Sequence, residues 1–126
     1  MKLPLSKYVW FDGKYILAEK AQIPITTHAL HYGTSIFEGI RCYNTPNGSA
    51  VFRLPEHVDR LFKSAKLYSM KMQFTEKEIS DAILKTVKVS GLKEAYIRPL
   101  AYYGYGTMGL TPTTNKVDMS ISCWEW

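Results

Sequence analysis

Cysteine is scarce: the chain of 126 residues holds only Cys42 and Cys123. Both lie in apolar, strand-like stretches without metal-like spacing, which argues against a disulfide framework or a zinc site and predicts buried free thiols. No apolar run approaches the ~20 residues that cross a bilayer. Met1-Lys2-Leu3-Pro4-Leu5 has no apolar segment behind it of the kind a secretory signal carries. A soluble, cytoplasmic protein with no membrane partner is expected. Blocks of like charge are missing as well. The net charge of +5 is scattered over positions such as Lys14, Lys20, Lys63, Lys66, Lys71, Lys77, Lys85, Lys88 and Lys93. Nucleic acid is therefore not an expected partner, and the positive balance suits small anions better.

A hydrophobic fraction of 46% and a charged fraction of 21% allow one core at this length, so residues 1–126 are expected to form a single domain. Two short β-prone runs, Tyr8–Phe11 and Lys14–Leu17, flank Asp12-Gly13, a strong signal for a two-residue hairpin turn. A second hairpin is expected from residues 35–43 and 50–53 around the turn formers of residues 44–49. From Pro55 the period changes to that of a helix, with Val58, Leu61, Phe62, Ala65 and Tyr68 on one face. Thr75-Glu76-Lys77-Glu78 has the form of a capping box. It opens a second helix with Ile79, Ala82, Ile83, Thr86 and Val87 inward and Gly91 at its end. Residues 95–103 read as a strand, 104–109 as a glycine-containing loop, and Val117, Met119, Ile121 and Cys123 alternate as a half-buried strand does. The implied fold is α+β, an antiparallel-rich sheet with two helices packed on it. The close on Cys123-Trp124-Glu125-Trp126, with no polar tail, reads as an expression boundary or a cleaved chain.

Residues 28–41, His28-Ala29-Leu30-His31-Tyr32-Gly33-Thr34-Ser35-Ile36-Phe37-Glu38-Gly39-Ile40-Arg41, mix histidines, a tyrosine, glycines and charges in a strand-prone region. Structural readings exist for each: His31 and Tyr32 could satisfy loop backbone, Phe37 could be core, and Gly39 could mark a bulge. Tyr96 and Arg98 sit two apart on a strand, so both side chains leave one face, which is either a pocket wall or a solvent face. Arg60 lies near the start of the first helix, where its planar fork suits a phosphate, although a solvated arginine is the ordinary alternative.

Taken with Tyr43, Val51-Phe52-Arg53, Glu56-His57, Arg60-Leu61, Ser64-Ala65-Lys66, Ala95-Tyr96-Ile97-Arg98-Pro99-Leu100, Met108-Gly109-Leu110, Pro112 and Trp126, this segment resembles the N-terminal small domain of the branched-chain amino acid aminotransferases, fold-type IV enzymes that use pyridoxal 5'-phosphate. The resemblance covers essentially the whole chain. It implies that Arg60 binds the cofactor phosphate, that Arg98 receives the distal carboxylate of glutamate or 2-oxoglutarate, and that Tyr96 meets the α-carboxylate end. Phe37 and Trp126 would line the substrate pocket. Tyr32 and Leu110 would reach the site of a neighbouring subunit, so a homodimer or higher homo-oligomer with shared sites is implied, and Tyr32 is a candidate to keep Arg98 hydrogen-bonded when a hydrocarbon fills the pocket. The assignment requires Arg60 and Arg98 to face a common cavity.

Catalytic residues are expected to be absent from this chain. The Schiff-base lysine, and a glutamate facing the pyridinium nitrogen, belong in the family to a larger C-terminal domain with no counterpart here. The implied reaction is reversible ping-pong transfer of the amino group of leucine, isoleucine or valine to 2-oxoglutarate, with this chain inactive alone. A D-amino acid aminotransferase or an aminodeoxychorismate lyase would share the scaffold. A non-catalytic binding module would leave Tyr32, Phe37, Arg60, Tyr96 and Arg98 together without a reason.

Overall fold

The computed structural model describes residues 3–112 and 114–126. Strands β1 (Tyr8–Phe11) and β2 (Lys14–Leu17) pair across Asp12-Gly13, with Phe11 opposite Lys14 and both turn residues at positive φ. That is the geometry a two-residue hairpin requires. After a short 3₁₀ turn, Ala18–Lys20, come α1 (His28–Tyr32), β3 (Ser35–Phe37), β4 (Ile40–Thr45), β5 (Gly48–Val51), α2 (Leu54–Leu67), α3 (Glu76–Ser90), β6 (Ala95–Tyr103) and β7 (Val117–Trp124). Seven strands form one sheet in the order β2-β1-β7-β6-β4-β5, with β3 also on β6, and every pairing is antiparallel. The α+β class expected from the sequence is the observed one.

Helix α3 begins at a complete capping box. The Thr75 side chain accepts from the Glu78 backbone N–H, and the Glu78 carboxylate accepts from that of Thr75. Ile79, Ala82, Ile83, Thr86 and Val87 are its buried residues, as the spacing predicts, and Gly91 takes the left-handed position after it. Helix α2 buries Val58, Leu61 and Ala65, whereas Tyr68 lies past its end and is exposed. Both helices cover one face of the sheet. There Ile40, Leu61, Ile79, Ile83, Ile97, Met119 and Ile121 are completely buried, and Trp10 and Phe74 meet edge to face at 4.9 Å. Both cysteines are buried and unbridged. Among the described residues no helix is long and apolar enough to cross a membrane.

Two expectations are corrected. Residues 35–43 are not one hairpin strand: β3 pairs with the outer half of β6, through Ile36 and Ala101, and β4 with its inner half, through Ile40 and Ile97. The chain breaks at Glu38-Gly39, opposite Pro99. The Glu38 backbone N–H donates to the Pro99 carbonyl at 3.1 Å. In a strand a residue's carbonyl and its N–H site face the same edge, so the donor that Pro99 lacks falls at this break, where a proline inside a sheet is tolerated. The second hairpin is accordingly Ile40–Thr45 with Gly48–Val51. Phe52 and Arg53 leave the sheet, with Arg53 at φ 55 leading into α2. Helix α1 has no counterpart among the sequence expectations, because one and a half turns give too few positions for a period to show.

Candidate functional site

Strand β6 turns Ala95, Ile97 and Pro99 toward the helices and leaves Tyr96, Arg98 and Leu100 half-buried on the other face. There the Arg98 guanidinium lies over the Phe37 ring at 4.1 Å from its centroid, and its Nη2 donates to the Tyr96 hydroxyl at 3.2 Å. Its Nε is buried without a partner. Tyr96 packs against Trp124 and Trp126, each centroid 4.9 Å away. Arg41 lies 4.8 Å from the Trp126 centroid. Four of the sequence-predicted residues, Phe37, Tyr96, Arg98 and Trp126, thus form one wall. Trp124 and Arg41 also belong to it and were not anticipated. Both are cross-strand neighbours of Tyr96, a relation that only the pairing register reveals.

The opposite turn of the same segment builds a charged site. Glu38 is 5% exposed, and Arg60 reaches it through Nε at 2.6 Å and Nη2 at 2.8 Å. His57, one turn earlier on α2, places Nδ1 2.9 Å from the second carboxylate oxygen. A carboxylate has no proton to give, so Nδ1 is the donor. Burial pushes the Glu38 carboxyl up, but the hydrogen bonds and charges of Arg60 and His57 together outweigh it and hold it below the usual carboxylate range. The rest of the Arg60 side chain is 67% exposed beside an open hollow of about 440 Å³ lined by Arg53, Glu56, His57, Asp59, Arg60 and Lys63. Arg98 does not line this hollow. The two guanidiniums are tied instead to consecutive residues, Phe37 and Glu38. The sequence reading missed the roles of Glu38 and His57, although the i, i+3 spacing of His57 and Arg60 was a usable signal.

Tyr32 and Leu110 make a third group. The Tyr32 hydroxyl donates to the Met108 carbonyl at 2.7 Å, so the hydroxyl that Arg98 reaches is that of Tyr96 and not, as expected, that of Tyr32. His28, fully buried, holds the Gly109 carbonyl at 2.7 Å and the Thr34 hydroxyl at 2.9 Å. Asn115 bonds the Thr107 backbone from both ends of its amide and also the Gly104 carbonyl. Leu110, at the tip of this anchored loop, is 82% exposed.

The family described as amino-transferase class IV matches residues 35–126. The chain belongs to this family. The class IV match takes in Phe37, Arg60, Tyr96, Arg98, Leu110 and Trp126 and starts just after Tyr32. Among curated relatives, the branched-chain-amino-acid aminotransferase of Pseudomonas aeruginosa is 42% identical over 118 residues, 94% of this chain and 38% of its own length. That of Escherichia coli K12 is 41% identical over 120 residues, again 94% of this chain and 39% of its own. The fold superimposes on the crystal structure of the Escherichia coli enzyme with a TM-score of 0.94 at 40% identity, covering 96% of this chain and 41% of that one. A second crystal structure, of a branched-chain amino acid aminotransferase complexed with N-(5'-phosphopyridoxyl)-L-glutamate, gives the same TM-score of 0.94 at 42% identity, with 96% of this chain and 40% of that one covered; its source is given only as T.th.. This class IV chain therefore spans about two fifths of the length of the relatives it matches.

Proposed function

We propose that this chain is the N-terminal small domain of a branched-chain amino acid aminotransferase, which moves the amino group of leucine, isoleucine or valine to 2-oxoglutarate. The observation that carries the proposal is the wall of β6: a guanidinium with an unpartnered buried Nε, held over Phe37 and against a tyrosine hydroxyl. Aromatic faces accept a branched hydrocarbon chain, and the guanidinium accepts a carboxylate in the other half-reaction. Between those events Arg98 keeps one hydrogen bond through Tyr96, which lowers the cost of an empty charge. The named relatives support this choice of substrates over those of a D-amino acid aminotransferase.

The residues present fit a pyridoxal 5'-phosphate phosphate group. Arg60 offers donors left over from Glu38, and Arg53 and Lys63 add positive charge around the same hollow. Arg60 would hold the phosphate, with Glu38 and His57 keeping its guanidinium in place. When bound, the cofactor supplies the electron sink that lets an amino group be exchanged between two carbon skeletons. The lysine that carries it belongs, in this proposal, to a second and larger domain, and none of the lysines of this chain is given that role. The cleft between the two domains would unite the Arg60 hollow with the Arg98 wall. Tyr32 and Leu110 would complete the site of a second subunit in a homodimer, and two unbridged thiols suit the cytoplasm.

In the full-length enzyme, Arg98→Gln is expected to raise KM for 2-oxoglutarate about tenfold or more while changing KM for leucine far less. Equal effects on both substrates would remove Arg98 from the distal-carboxylate role. Initial rates with L-leucine and D-alanine separate the substrate classes: preference for D-alanine refutes the branched-chain assignment.

A further inference from the structure

Gly39 stands where the chain leaves β3 for β4, and its φ is not positive, so the backbone there does not demand glycine. The space does. A Cβ built on Gly39 falls on the Tyr96 hydroxyl oxygen and comes 2.8 Å from the ring carbon that bears it, closer than packed carbon atoms approach. Tyr96 has little room to retreat, since its ring rests against Trp124 and Trp126. Its hydroxyl also holds Arg98 Nη2 at 3.2 Å. We propose that Gly39 is a positioning residue for substrate binding: by lacking a side chain it lets the Tyr96 hydroxyl stand where Arg98 and a substrate carboxylate both reach it. Any side chain at this position displaces the hydroxyl and the Arg98 bond with it. The inference rests on the proposed role of Tyr96 at the substrate.

The test is a double-mutant cycle in the full-length enzyme, read by kcat/KM for L-leucine and by calorimetric binding of 4-methylvalerate as a non-reacting carboxylate. Gly39→Ala is expected to lose about tenfold or more in both, because small misplacements of a binding group carry large penalties. Tyr96→Val is expected to lose a similar factor. The double variant should match Tyr96→Val within about twofold, since without the ring nothing remains to displace. Unchanged kinetics and binding in Gly39→Ala overturn the proposal, as does a double variant whose loss is the product of the two single losses. Should Gly39→Ala alone fail to fold, the double variant must fold and behave as Tyr96→Val, and its failure too counts against the role. Intact kinetics in Tyr96→Val would strike at the assignment of Tyr96 itself and take the proposal with it, an outcome distinct from a normal Tyr96→Val loss with a multiplicative double variant.

Discussion

At the scale of single residues, the most consequential contact is the one the sequence showed least. Glu38 looks like one more polar residue in a strand, yet it is buried and bound by Arg60 and His57. A guanidinium has two edges that can grip an anion in a fork. Glu38 occupies the Nε–Nη2 edge and leaves the Nη1 end for another anion. Glu38→Gln in the full-length enzyme is therefore expected to weaken pyridoxal phosphate about tenfold, measured by equilibrium dialysis and equivalent to about 1.4 kcal/mol. Solvent around the exposed guanidinium keeps the effect from being larger. The pH dependence has a definite sign. A carboxyl held below its ordinary range in the fold adds stability that is fully present above its unfolded value, about 4.3, and is lost as pH falls through the folded value. The stability gap between the wild type and Glu38→Gln should thus shrink on acidification below about pH 4, as followed by thermal unfolding; a gap that widens there contradicts the ion-pair account. Arg60, Arg98, Tyr96 and Phe37 could be named from the sequence because their spacing and surroundings are local. Glu38 and Trp124 could not, because their partners arrive from other elements.

Elements divide by the same criterion. Helix α3 was legible from Thr75 to Gly91, since its capping box, its inward face and its left-handed terminus are all written within its own residues. Thr75→Ala should cost about 1 kcal/mol in chemical denaturation. Ile83→Ala, which opens a void in the fully buried layer between α3 and the sheet, should cost about 2–5 kcal/mol. A smaller loss at Ile83 than at Thr75 would mean that the core is not packed as described. The break between β3 and β4 was not legible. A run of strand-prone residues from Ser35 to Tyr43 gives no local cause to stop, and the cause lies across the sheet in Pro99 and in the Tyr96 hydroxyl against Gly39. Tertiary contacts overrode local propensity there.

For the molecule as a whole, the helices cover one face of the sheet, and the other side of the chain shows large apolar side chains to solvent. Phe37 is 57% exposed, Trp126 60% and Leu110 82%. Clustered exposure of that kind marks surfaces that meet other protein. The proposed two-domain dimer gives each an occupant: the cleft for Phe37 and Trp126, the second subunit for Leu110. The purified 126-residue chain, supplied with pyridoxal phosphate and no second chain, is expected to show no transamination of leucine by a coupled glutamate assay, and robust turnover would refute the division of labour between domains. The alternation at Phe37 and Glu38 has a further result. One side chain faces the hydrocarbon-binding wall and the next faces the phosphate clamp, so the two chemistries are separated by a single peptide unit. An inserted or deleted residue between Ile36 and Ile40 would exchange their directions, putting a carboxylate among the indoles and a phenyl ring against Arg60. Homologous chains are free to vary in length at Pro46-Asn47, in the tip of an outer hairpin, while at Phe37-Glu38 the length itself is under selection.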